Sequence, residues 1–288
     1  MTQEGDIGDQ DAIGGEAWAE ATLRRLAEAG DSALDILDGA LALAAFDAPT
    51  ERLAGYRDHI ARMERDLAAA AGEADDAELR LAALNHVLFG LHGYAGDADT
   101  YDDLQNANMI RVIDRRKGLP VALGILMLHL ARSQGWEMHG LDFPGHFLLR
   151  LDAPGERLIV DPFHGGVALD APALRALLKA TSGAGAELEA AHYEAISDRD
   201  VLIRLQNNIK LRLIQARRVE EALNIVDSML MLAPDRISLW REAGLMNAHI
   251  GKTRTAIDAF ETYIAKETRS EPRREAEALV GELREKLN

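Results

Sequence analysis

The chain has 288 residues, of which 48% are hydrophobic and 28% charged, enough apolar material for about two packed domains and too much for a disordered chain. It contains no cysteine, which excludes disulfides, thiolate-ligated metals and every cysteine nucleophile. The net charge of −16 resides entirely in residues 1–110, and an acidic surface of that kind repels nucleic acid.

Met1–Gly15 is polar, acidic and glycine-containing, so a disordered tail is expected there rather than a secretory signal. No run approaches the roughly 20 apolar residues of a membrane span, so a cytoplasmic chain without membrane association is expected. From Ala17 to Ile113 the apolar spacing is helical. One stretch carries Leu23, Leu26 and then Leu34, Leu37 and Leu41; a second carries Leu53, Tyr56, Ile60, Met63 and Leu67. A third, Leu79–Leu91, is apolar enough to be buried on most sides. Asp31, Asp35 and Asp38 recur at near-helical spacing and read as a solvated face, with docking of a basic partner as the alternative.

The character changes at Arg115. Pro120 suits the first turn of a nearly unbroken apolar helix, Val121–Arg132, which Gly135 terminates. Short β-like runs follow at Glu137–Leu141, Phe147–Leu151 and Leu158–Val160, separated by Pro144-Gly145 and Ala153-Pro154-Gly155 turns. A helix followed by strands and tight turns predicts an α+β domain with a small antiparallel sheet packed on the helix.

Beyond Asp198 the pattern is helical and repeats. Ala222 and Ala256 lie 34 residues apart, and Trp240, Gly244, Gly251, Ala256 and Phe260 have the spacing of a tetratricopeptide unit. Two such hairpins and a last helix, Pro272–Leu287, predict a short capped stack, an ordinary helical hairpin being the alternative. Gly251-Lys252-Thr253 resembles the end of a phosphate loop, but Met246 stands where the earlier glycine is required, so it reads as an inter-helix turn.

Three ordered blocks carry a family resemblance: Arg116-Lys117-Gly118-Leu119-Pro120-Val121-Ala122-Leu123, then Phe143-Pro144-Gly145-His146-Phe147-Leu148, then Val160-Asp161-Pro162-Phe163-His164-Gly165-Gly166. With the repeats, the chain resembles the SirB family of bacterial proteins over roughly residues 20 to 288. That family joins a transglutaminase-like domain, with its papain-like core, to tetratricopeptide repeats. After the acidic tail over 1–15 that composition predicts, the resemblance implies a transglutaminase-like domain with a helical N-terminal part over 16–197, and two repeats with a capping helix over 198–288.

Active transglutaminase-like enzymes place a cysteine at a helix start, a histidine on the next strand and an aspartate on the strand after. By the resemblance, His146 and Asp161 occupy the last two places and Pro120 the first. Gly118–Arg132 contains no Ser, Thr or Cys, so no catalytic residue is expected. His146 and Asp161 then have three readings: a retained structural pair, a ligand-recognition pocket, or residual catalysis with His146 as base. The last would require a relocated hydroxyl, such as Ser133 or Thr181. His146, Asp161 and His164 lack metal-site spacing, and His129 reads as a satisfied core histidine. No metal or cofactor is expected.

The repeats carry the positive signal. Tetratricopeptide stacks expose the first helix of each pair along a peptide-binding groove. Carried onto this chain, the groove positions are Arg204, Asn207 and Gln215 in the first unit and Arg241 and His249 in the second. The expected function is a non-catalytic pseudo-enzyme that binds another protein or peptide as adaptor or regulator. The alternative is a transglutaminase-like amide-bond hydrolase or transferase using His146 and Asp161. The sequence leaves the partner and the oligomeric state open, and it also allows the repeats merely to complete the core of the preceding domain.

Overall fold

The computed structural model describes residues 15–30, 34–48, 53–72 and 74–287. Apart from Gly15, the expected acidic tail lies outside them, as does Asp31. The described residues form two compact units, one from 15–22 and those of 34–205, the other from 23–30 and 206–287. The boundaries fall inside α1 (Glu16–Glu28) and α8 (Asp198–Gln215).

The first unit begins with helices α2 (Ile36–Ala45), α3 (Leu53–Ala71) and α4 (Ala77–Asn85). Asp35 caps α2 by accepting from the backbone N–H groups of Leu37 and Asp38, both at 3.0 Å, and Asp76 caps α4 through Leu79 N–H at 2.7 Å. Asp38 then pairs with Arg57 at 3.3 Å, so the two described aspartates of that acidic face are a cap and a salt bridge. Beyond α4 the chain widens into a π-helical turn, His86–Leu91. The expectation that Leu79–Leu91 is buried on most sides fails at its ends, where Leu79 is 52% and Leu91 58% exposed. The π-turn holds one residue more than an α-turn, so it changes the angular register in which the last leucine leaves the helix.

A two-residue strand, β1 (Ala95–Gly96), pairs in parallel with β2 (Lys117–Gly118) across the short helix α5 (Met109–Arg115). The central helix α6 (Pro120–Ser133) follows with Pro120 in its first turn, and every residue from Val121 to Leu128 is buried. Five strands then form one antiparallel sheet in the order β6-β5-β4-β3-β7: β3 (Glu137–Phe143), β4 (His146–Ala153), β5 (Glu156–Asp161), β6 (Val167–Leu169) and β7 (Ala195–Ile196).

Alternation along β4 gives this sheet two buried faces. Phe147 and Leu149 meet α6 so closely that a Cβ on Gly124 would stand 2.4 Å from the Phe147 ring. Leu148, with Leu141, Phe143 and Ile159, packs on Leu174 and Leu178 of α7 (Ala171–Ser182). The outcome is a helix–sheet–helix sandwich.

In the second unit, the latter part of α8 and α9 (Val219–Leu232) form the first hairpin, α10 (Ile237–His249) and α11 (Thr253–Lys266) the second, and α12 (Ser270–Glu285) follows. Ala256, Phe260, Tyr263, Val280 and Leu283 form a core flanked by Trp240. A Cβ on Gly244 would lie 2.8 Å from the Phe260 ring, which explains the small residue at that repeat position. Gly251, at φ 79°, turns α10 into α11, as the inter-helix reading requires.

Candidate functional site

Strand register puts Asp161 opposite Leu148, two residues along β4 from His146 and on the same face. Such a diagonal separates Cβ atoms by about 7–8 Å. That distance is not closed. The His146 ring lies against Phe143, 6.4 Å between centroids, and makes no hydrogen bond to Asp161. The imidazole–carboxylate pair expected of His146 and Asp161 forms instead with His164, whose Nδ1 is 2.7 Å from the Asp161 carboxylate. The physical reason is local. Asp161 ends its strand, its other oxygen accepts from the backbone N–H groups of Phe163 (2.9 Å) and His164 (3.4 Å), and this turn delivers the His164 ring to the remaining oxygen.

His146 also faces away from the helix that would carry a nucleophile. Alternation places it on the Leu148 side, packed by α7, whereas α6 meets the opposite face through Phe147. Of the relocated hydroxyls, Ser133 donates to the Leu130 carbonyl at 2.8 Å. Thr181 donates to the Leu177 carbonyl at 3.2 Å, and it packs on Gly145, where a Cβ would stand 2.5 Å from its methyl group.

The loop carrying His164 is held from two sides. Asn85, the last residue of α4, donates to the Gly166 carbonyl at 2.8 Å, and its own buried Oδ1 has no partner. Gly96 lies beneath Phe163, where a Cβ would come within 2.5 Å of the Phe163 carbonyl. The segment leading from β1 is pinned by Asp97, 1% exposed. It accepts from the Thr100 hydroxyl (2.6 Å) and Arg115 (2.9 Å), and these hydrogen bonds hold its carboxyl at about 2, against the opposing effect of burial.

A second cluster lies between α3 and β1. Arg116, in left-handed conformation at φ 57°, stacks over the Tyr94 ring at 4.9 Å and donates to Tyr94 Oη (2.5 Å) and His59 Nε2 (2.7 Å). Burial, reinforced by Arg116, His92 and Arg62, pushes His59 down to about 4, so the ring is neutral and accepts from the guanidinium. Burial likewise pushes Tyr94 up to about 12. His129 contacts Glu64 at 2.7 Å. Among the described residues, Glu137, His139 and Asp152 bring ligand-type atoms within 4.8 Å of one another, but Asp152 already accepts from Arg150 and Arg157, each at 2.8 Å. A carboxylate neutralised by two guanidinium groups is a poor cation ligand.

Arg204 does not belong with the repeat positions. Its guanidinium pairs with Asp142, donates to the His146 carbonyl at 2.9 Å and lies over the Phe147 ring, all within the first unit. In the second unit Asn207 and Arg241 are half-buried, Gln215 and His249 are exposed, and Arg241 stands 3.8 Å from Glu275. The sequence reading missed the apolar side chains between them. Leu211 is 54% and Leu245 40% exposed, and they are again 34 residues apart. Extending the repeat offset to every first-helix position would have found them.

Among the described residues no helix is long and apolar enough to cross a membrane. Residues 54–207 match the transglutaminase-like superfamily and residues 209–281 the tetratricopeptide repeat. A UPF0162 protein of Xylella fastidiosa is 32% identical over 189 residues, covering 65% of this chain and 67% of that relative. Another, from Vibrio cholerae, is 30% identical over 233 residues, covering 81% and 86%. F-box only protein 21 of Homo sapiens is 29% identical over 183 residues, which span 59% of this chain and 28% of that protein. The chain, in which a transglutaminase-like domain precedes tetratricopeptide repeats, therefore belongs to the transglutaminase-like superfamily and to the UPF0162 proteins.

Proposed function

We propose that this chain, which also resembles the SirB family, is a cytoplasmic pseudo-enzyme. In this reading it is non-catalytic as an acyl transferase and acts as an adaptor or regulator that holds a peptide of another protein along the first helices of its repeats. The observation that carries the reading is the pair of exposed leucines, Leu211 and Leu245, at one repeat offset. Asn207 and Arg241 flank them on one side and Gln215 and His249 on the other, at the same offset. Apolar side chains between amide, guanidinium and imidazole groups suit a peptide that offers both side-chain area and backbone or carboxylate acceptors. Pro120 at the helix start supports the non-catalytic part, because a pyrrolidine ring supplies no nucleophile.

The test is a photo-crosslinking residue in place of Leu245, used in cells. The expected result is a discrete crosslinked partner whose recovery falls at least about tenfold, ~1.4 kcal/mol, in the Asn207→Ala/Arg241→Ala variant. Trp240 fluorescence must show that variant folded. Absence of a discrete crosslink would assign the repeats to core packing, and undiminished recovery in a folded variant would overturn the groove positions Asn207 and Arg241.

A further inference from the structure

We infer that His164 is a covalent phosphoryl-acceptor site, modified on Nε2 and oriented for that role by Asp161. The inference goes beyond the adaptor reading and does not depend on the repeat groove.

Three features support it. First, the tautomer is fixed. A carboxylate only accepts, so the 2.7 Å contact requires Nδ1 to carry a proton, and in the neutral ring this leaves the Nε2 lone pair as the nucleophile. Second, the dyad is asymmetric in burial. The Asp161 side chain is 9% exposed and held by two backbone N–H groups, while the His164 side chain is 70% exposed. A ring standing this far from the surface can enter the active site of a donor protein, whereas a general base working on its own substrate needs walls around it. Third, the surroundings admit the group. Gly165 has no side chain and nothing within 4 Å of where a Cβ would be, and Asn85 anchors the loop from behind at Gly166. Two acidic groups of the adjoining loop are already paired, Asp97 with Arg115 at 2.9 Å and Asp99 with Lys117 at 3.6 Å, which lowers the repulsion of an incoming phosphoryl donor.

In the step, the Nε2 lone pair attacks phosphorus of a phosphoramidate-type donor. The N–P bond to the ring forms as the donor's P–N bond breaks, and the departing nitrogen keeps that electron pair and takes a proton from solvent. The ring becomes an Nε2-phosphorylated imidazolium whose Nδ1–H remains on Asp161, so the buried carboxylate stabilises the positive charge created by the transfer.

The experiment treats the full chain with potassium phosphoramidate and follows acid-labile phosphorylation by peptide mass spectrometry and phosphorus NMR. His86, exposed and without a hydrogen bond to a carboxylate among the described residues, is the internal control. The expected result is incorporation at His164 at least about tenfold faster than at His86, the advantage that an orienting carboxylate gives an imidazole ligand. Asp161→Asn should remove most of that advantage, and His164→Gln should reduce total incorporation to the slow rate seen at His86, while His86→Ala leaves the fast phase intact. Equal rates at His164 and His86 in the unaltered chain would overturn the inference, and this comparison holds even if Asp161→Asn fails to fold. Preferential labelling of His146 would overturn it as well.

Discussion

The helices on which function was expected to turn, α6 in the first unit and α8 with α10 in the repeats, are treated oppositely by their surroundings. In the first unit, α6 is closed: residues 121–128 are all buried, and Phe147 of the sheet lodges against Gly124. In the second unit, α8 and α10 keep Leu211 and Leu245 in solvent at one repeat spacing, although each large apolar side chain left out of a core forgoes about 1.5–3 kcal/mol. Packing encloses α6, while the repeats leave Leu211 and Leu245 uncovered.

The contrast can be broken from the second unit first. Phe260 fills the space over Gly244, so Phe260→Ala should cost about 3–5 kcal/mol in the repeats, read as a lowered denaturation midpoint of Trp240 fluorescence. Trp136, on the first unit, should report a much smaller change, and equal shifts at both tryptophans would mean that the units unfold as one. In the first unit, Gly124→Val forces a branched side chain against Phe147 and should cost about 1–3 kcal/mol, read on Trp136. An unchanged midpoint there would mean that α6 and β4 are looser than their contact indicates.

The smallest effect is a pH slope. His59 has its folded-state pKa lowered to about 4, below the ordinary 6.5. Between those values the unfolded chain binds a proton that the native ring refuses, so this contribution to stability is present above 6.5 and declines as pH falls towards 4. His59→Gln removes the titration while keeping an acceptor for Arg116, so urea midpoints measured from pH 7 to pH 4 should lose part of their slope in the variant. Asp97, held at about 2, adds a loss of the same direction only below its ordinary 3.8.

The α6 helix, strands β3 to β5 and the 34-residue repeat were legible because each depends on local signals. Pro120 and Gly135 bracket the helix, Pro144-Gly145 and Pro154-Gly155 mark the hairpins, and small residues recur where helices touch. The His164–Asp161 pair was not legible, because order along the chain matches His146 and Asp161 equally well in any register. Only the side-chain turn at Asp161 decides which imidazole reaches its oxygen. Arg204 fits the helical period of its segment, yet its partners Asp142 and His146 are set by tertiary structure. The widened turn at His86–Leu91 leaves no mark in apolar spacing, which reads the same through it.

That turn has an evolutionary consequence. A π-helical segment contains one residue more than the α-helix it interrupts, so insertion or loss of a single codon between His86 and Leu91 suffices to make or erase it. Asn85 sits immediately upstream and ties α4 to the Gly166 carbonyl, so whatever lies upstream of the insertion keeps that tie. A relative one residue shorter here would keep the Asn85 tie to Gly166 while turning Leu91 and the chain that follows, Gly96 included, through about 100°, so the support of the His164 loop at Phe163 would have to be rebuilt. Gene-level gaps at this position would therefore mark lineages that changed the approach to β1 and, with it, one of the two supports of the dyad's loop.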